Sequence, residues 1–184
     1  MRPSGPILAL AAVLLIGLAG CASGTQERPM RPTGSATATL TLGSLAFGDR
    51  EQMPRKFSCD GTGVSPPLSW SGAPEGTRSF ALIVEDPDAG GFVHWAVAGI
   101  PGDSQRLDED ASGSGDLIEG RNSFGKTGWG GPCPPSGEHR YVFTLYALSE
   151  EPPLQPGFDA RALREAMSGK VLAQGELIGR YARG

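Results

Sequence analysis

From Thr37 to Leu42 the chain alternates polar and apolar residues, Thr-Ala-Thr-Leu-Thr-Leu, and this period of two predicts a strand with one face buried. Four later segments, residues 80–84, 92–100, 141–148 and 171–181, are apolar runs rich in branched and aromatic side chains. The first two suit strands covered on both faces. Clusters of Gly, Pro, Asp and Ser between the runs form turns and loops. A helical period occurs once: Asp159 is suited to cap a helix that carries Leu163, Ala166 and Met167 on one face and stops at Gly169. The pattern shows no internal repeat. It predicts a mainly β (α+β) domain of two sheets, with one or two short helices near the C-terminal end.

The N-terminal pattern is different. An apolar run from Ile7 to Leu18 follows Arg2 and holds no charge. A spanning helix needs about 20 such residues, whereas a secretory signal core needs roughly 7–15. The run ends in Leu18-Ala19-Gly20-Cys21, which resembles the lipobox of bacterial lipoproteins, where the cysteine sulfur receives diacylglycerol. Residues 1–20 therefore read as a leader and Cys21 as the lipid attachment point. Several acyl chains hold a protein on a membrane where a single chain binds only reversibly. The expected location is the cell membrane, facing the periplasm or the exterior. Residues 21–37 contain no aromatic or branched aliphatic side chain and read as a flexible tether. Its roughly 16 residues would hold the domain about 20–25 Å from the lipid on average. The folded domain is expected over residues 38–184, long enough to bury one proper core.

Composition narrows the function. The net charge is −4, with no run of Lys or Arg, so there is no electrostatic footprint for nucleic acid. The 28 glycines and 16 prolines imply many turns and few long helices. Three loops, residues 59–70, 86–94 and 120–140, hold both histidines and both cysteines left after Cys21, and long loops on a β scaffold commonly carry binding chemistry.

Each candidate motif has a plainer reading beside it. Gly120 to Thr127 matches the phosphate-binding pattern G-x-x-x-x-G-K-[ST], but the Gly- and Pro-rich residues that follow cannot form the helix such a loop requires. The G-x-S-x-G elbow of many serine hydrolases is absent. Asp86, His94 and His139 could form a two-histidine, one-carboxylate metal site, yet their long spacing favours satisfied structural histidines. Cys59 and Cys133 belong to no C-x-x-C pair, which argues against zinc. They are either two buried thiols or one disulfide closing a loop of about 75 residues.

Taken together, these loops resemble the phosphatidylethanolamine-binding protein family, in its bacterial Raf-kinase-inhibitor-like branch. The resemblance runs from about Phe57 to Tyr181. It is carried by Cys59-Asp60-Gly61, Ser65-Pro66-Pro67-Leu68-Ser69-Trp70, Asp86-Pro87-Asp88-Ala89, His94-Trp95 and Gly120-Arg121-Asn122. It continues through Gly130-Gly131-Pro132-Cys133-Pro134-Pro135 and His139-Arg140-Tyr141. It implies a large β-sheet packed on a smaller one, no cofactor, no metal and no catalytic residue. It further implies a pocket for a small anionic or phosphorylated ligand lined by Asp86, His94, Gly131 and His139. Imidazole N–H groups and free loop amides donate to phosphate oxygens, while a carboxylate fixes a histidine tautomer and favours its charged form. Gly90-Gly91 stands where the family commonly has proline, so a shorter, looser pocket rim is expected. By the same resemblance Cys59 and Cys133 lie near one end of the fold and are joined. A hydrolase using His94 or His139 as general base, and an interaction module with a vestigial pocket, are the competing classes.

Overall fold

The computed structural model describes residues 38–184. The leader, the lipid-bearing Cys21 and the tether expected from sequence lie outside these residues. Ten strands run in chain order: β1 (Ala38–Thr39), β2 (Thr41–Gly43), β3 (Glu51–Gln52), β4 (Leu68–Ser71), β5 (Ser79–Asp86), β6 (Phe92–Pro101), β7 (Arg106–Leu107), β8 (Ile118–Glu119), β9 (Glu138–Leu148) and β10 (Val171–Ala182). One helix, α1 (Ala160–Met167), lies between β9 and β10. The main sheet has the order β1-β10-β9-β5-β6-β8, with β3 also on β10, and the smaller sheet has the order β2-β4-β7. The four long strands pair antiparallel, whereas β1 and β3 join β10 parallel.

The apolar runs form the centre of the main sheet because both of its faces are covered. On one face Phe80, Leu82, Val84, Trp95, Val97, Phe143 and Leu145 pack with Leu68 and Trp70 of the small sheet. On the other, Ala81, Ile83, Ala96 and Ala98 meet Phe158, Leu163 and Met167 around α1. The small residues Ala81, Ala96 and Ala98 leave room for the helix. Asp159 caps α1 by accepting from the Ala162 N–H at 2.7 Å. Leu163 and Met167 are buried and Ala166 is half-buried, so the predicted apolar face is the one that docks.

Two expectations need correction. The alternating segment at residues 37–42 is two strands in different sheets: Leu40 donates its N–H to the Gln174 carbonyl at 2.8 Å, and the chain then crosses to pair with β4. Period two persists through the crossing because Leu40 and Leu42 both face the common core. None of the three segments expected as loops is loop throughout: β4 begins at Leu68, β5 ends at Asp86 and β6 begins at Phe92, and β9 begins at Glu138. The two-residue strands β3, β7 and β8 are too short to carry any sequence period.

Candidate functional site

Antiparallel pairing brings the C-terminal end of β5 beside the starts of β6 and β9. A register shift between Val84 and Glu85 falls just ahead of Asp86, where such irregularities re-aim side chains. The Asp86 side chain is buried and accepts three N–H groups. Its Oδ1 takes Asp88 N–H at 2.9 Å and Ala89 N–H at 3.0 Å, capping the 3₁₀ turn Pro87–Ala89, and its Oδ2 takes His139 Nδ1 at 2.7 Å. On β6, His94 is 3 % exposed and places Nδ1 2.5 Å from the Gly130 carbonyl oxygen. A carbonyl only accepts, so His94 carries its proton on Nδ1. Each imidazole thus has Nδ1 committed to the protein, which leaves Nε2 as the nitrogen available to a ligand.

A cavity of about 130 Å³ opens beside these groups. Asp86, His94 and His139 supply its polar wall, and Ala89, Phe92, Phe124, Pro134, Pro135 and the ring of Tyr141 most of the rest. Few polar groups in an apolar wall is the usual composition of a small-ligand site. Phe92 and Phe124 meet edge to face at 4.7 Å, and Tyr141 meets His94 the same way at 5.0 Å. Burial pushes the His94 imidazole below the usual histidine range and neighbouring His139 acts in the same direction, against the Gly130 hydrogen bond and the field of Asp86. Burial also pushes the Tyr141 hydroxyl well above the usual phenol range. The charged form that a neighbouring carboxylate is expected to favour is therefore disfavoured at His94.

The turn at the cavity mouth is tied to β9. Arg140 donates to Asp88 through Nε at 3.0 Å, Nη2 at 2.7 Å and its backbone N–H at 2.9 Å. The hydrogen bonds from Arg140 hold the Asp88 carboxyl down to about 2. Gly90 and Gly91 follow with φ of 69° and 81°, a left-handed pair that other residues adopt only at a cost.

Gly131 does not line this cavity. It lines a neighbouring hollow with Cys59, Asn122, Phe124, Lys126, Trp129, Gly130 and Cys133. A Cβ at Gly131 would lie 2.6 Å from the Phe57 carbonyl oxygen, so glycine is required there by close backbone approach. Cys59 and Cys133 form a disulfide with Cα atoms 5.4 Å apart, and Cys59 N–H donates to the Pro132 carbonyl beside it at 3.0 Å. The string Gly120–Thr127 forms a compact turn in which Asn122 Oδ1 accepts from Phe124 and Lys126 N–H. No helix begins at Lys126 or Thr127. Among the described residues no cluster of three His, Cys, Asp or Glu side chains is arranged to hold a metal, and no helix is long and apolar enough to cross a membrane.

Sequence reasoning passes over Glu119, a buried carboxylate on β8. Its Oε1 accepts from Trp95 Nε1 at 2.7 Å and Ser112 Oγ at 2.5 Å, and Oε2 accepts from Gly113 N–H at 2.9 Å. Ser112 Oγ in turn accepts from Trp129 N–H at 2.8 Å, one residue before the carbonyl that holds His94. Glu119 thus ties the loop that orients His94 to the strand that carries it. Glu119→Gln sets an amide N–H₂ against one of these donors. It is expected to cost about 2 kcal/mol in thermal unfolding, within the range for a buried donor left without an acceptor. A change below about 0.5 kcal/mol would mean the loop is held by other contacts.

A two-sheet β domain with a half-open, histidine-lined cavity at one end of its main sheet is a small-ligand-binding architecture. The profile of the phosphatidylethanolamine-binding protein family matches residues 43–182, and the chain belongs to that family. A UPF0098 protein of Methanothermobacter thermautotrophicus is 46 % identical over 151 residues, 79 % of this chain and 100 % of the relative. LppC of Mycobacterium tuberculosis, a candidate lipoprotein by name, is 36 % identical over 194 residues, covering 96 % of this chain and 95 % of its own. The crystal structure of CT736 from Chlamydia trachomatis, described as a candidate homologue in the same family, superposes with a TM-score of 0.75 at 38 % identity, over 81 % of this chain and 100 % of that one.

Proposed function

We propose that the domain binds a small anionic or phosphorylated ligand in the Asp86, His94 and His139 cavity, and is held at a membrane surface through lipid on Cys21. The observation that carries the reading is that both histidines line one cavity and both commit Nδ1 to the protein, which leaves Nε2 for a ligand. A protonated Nε2 donates to an anionic oxygen, and charge-assisted bonds of this kind are the strong ones. Family membership supports ligand binding in general, and the name of LppC supports the anchor. The reading is of a binder rather than an enzyme.

Titration calorimetry with propane-1-sulfonate, whose charge is constant across pH 5.5–8.5, tests it. In the free domain the His94 imidazole is held below its ordinary value near 6.5, so above that it is neutral. A bound anion favours the charged form and raises the value. Binding is therefore expected to take up protons between the free and bound values, and to weaken as pH rises. His139→Ala is expected to cost at least about tenfold in affinity, as loss of a hydrogen bond to a charged group does. Affinity that is flat with pH and unchanged in both His94→Ala and His139→Ala would sink the proposal. Ester or phosphoester turnover that survives repurification and disappears with His139→Ala would favour the hydrolase instead.

A further inference from the structure

The hollow beside the cavity is the larger of the two, about 410 Å³ against about 130 Å³. The two are adjacent: Phe124 and Cys133 belong to the walls of both. Phe124 stands between them, its ring 5.6 Å from His94 on one side, and at 48 % exposure it is one of the few large apolar side chains the domain shows to water. Beyond it the hollow is floored by Trp129, whose indole is fixed by donation to the Phe57 carbonyl at 3.1 Å and by stacking on Phe143. The Cys59–Cys133 disulfide closes another side.

The single cationic side chain of this lining is Lys126. Its backbone is held by Asn122, which accepts the Lys126 N–H at 3.2 Å, so the position of the side chain's root is defined. Most Arg and Lys side chains of the domain are tied to a carboxylate, but Lys126 forms no ion pair among the described residues. An unneutralised ammonium on a hollow of a net acidic protein is a local attractor for negative charge.

We propose that this hollow is a second subsite of the same ligand, which carries two anionic groups joined by a short, largely apolar spacer. One anionic group sits at the histidines. The spacer crosses the Phe124 ring and the disulfide, and the second anionic group meets Lys126. The inference rests on the reading of the first cavity as an anion site. A ligand engaging both subsites gains through effective concentration, while the contact at exposed Lys126 is itself modest, so a gain of about fivefold is expected.

Calorimetry on the full domain with α,ω-alkanedisulfonates of three to six methylenes, each against the monosulfonate of equal length, separates the two readings. The expected result is a disulfonate bound about fivefold tighter than its monosulfonate at one or two spacer lengths, with the ratio returning to about one in Lys126→Gln. Lys126 is exposed, so this variant leaves the core intact. Monosulfonates that bind with dependence on His139, but disulfonates no tighter at any length, would overturn the second subsite and leave the first standing. A gain that persists in Lys126→Gln would overturn it as well. Monosulfonates that do not bind would remove both.

Discussion

Replacing Cys59 and Cys133 by serine, or reducing the bridge, is expected to lower the stability of the domain by about 4 kcal/mol. The bridge joins residues 74 apart in sequence, and closing a loop of that length restricts the unfolded chain by roughly this amount. That is a large share of the roughly 5–15 kcal/mol that holds a typical domain together. Thermal unfolding with and without reductant measures it, and a fall of about 10 °C is expected for a domain of this size. The effect extends to binding, because Cys133 and the Pro134 and Pro135 that directly follow it belong to the cavity wall. A fall of less than about 3 °C would show that the Cys59 N–H bond to Pro132 and the packing of Gly131 on Phe57 hold the loop by themselves.

The second large effect is expected at Asp86. Asp86→Ala removes a buried acceptor from three N–H donors at once, each costing about 1–3 kcal/mol if it finds no substitute. Asp86→Asn is the more informative change. Its oxygen continues to cap the 3₁₀ turn, while its N–H₂ faces His139 Nδ1 and forces that nitrogen to accept. The proton of neutral His139 then moves to Nε2, and the field that supports the charged form of His94 is lost. Propane-1-sulfonate affinity at pH 6 is expected to fall by about tenfold while the fold survives. Nitrogen chemical shifts of the imidazoles report the tautomer directly. An unchanged His139 tautomer together with unchanged affinity would show that Asp86 serves only the turn.

The long strands were legible because burial on both faces leaves an unmistakable apolar run: Phe80 to Val84 and Trp95 to Ala98 can sit nowhere else. The helix was legible because its cap and its apolar face agree on the same boundaries. The switch between sheets at Leu40 was not, since a residue at the crossing faces the same core as its neighbours. At the site, Asp86, His94 and His139 stand out as chemistry-bearing residues in unusual loops, and the structure brings them to one cavity. Gly131 follows from resemblance alone, and its place at the next hollow depends on how tightly residues 130–133 pack on residues 57–59. Glu119 was invisible for a physical reason. A carboxylate in a Gly- and Ser-rich stretch reads as solvated, and only the folded loop shows that three donors converge on it.

The position of β10 also governs the order in which the molecule can be completed. It is the last strand in chain order, yet it lies inside the main sheet, with β9 on one edge and both β1 and β3 on the other. Until β10 has been delivered, the eleven residues of β9 present an open, apolar strand edge, and the short strands β1 and β3 have no partner in the main sheet. Because β1 and β3 pair with residues far away in sequence, their docking requires large loops to close first, which slows folding. The Cys59–Cys133 bridge involves neither β10 nor α1, so it can form earlier and shorten the search that follows. A chain interrupted before residue 171 is thus a ready substrate for edge-to-edge aggregation, and the emergence of a single late strand separates that species from the finished domain.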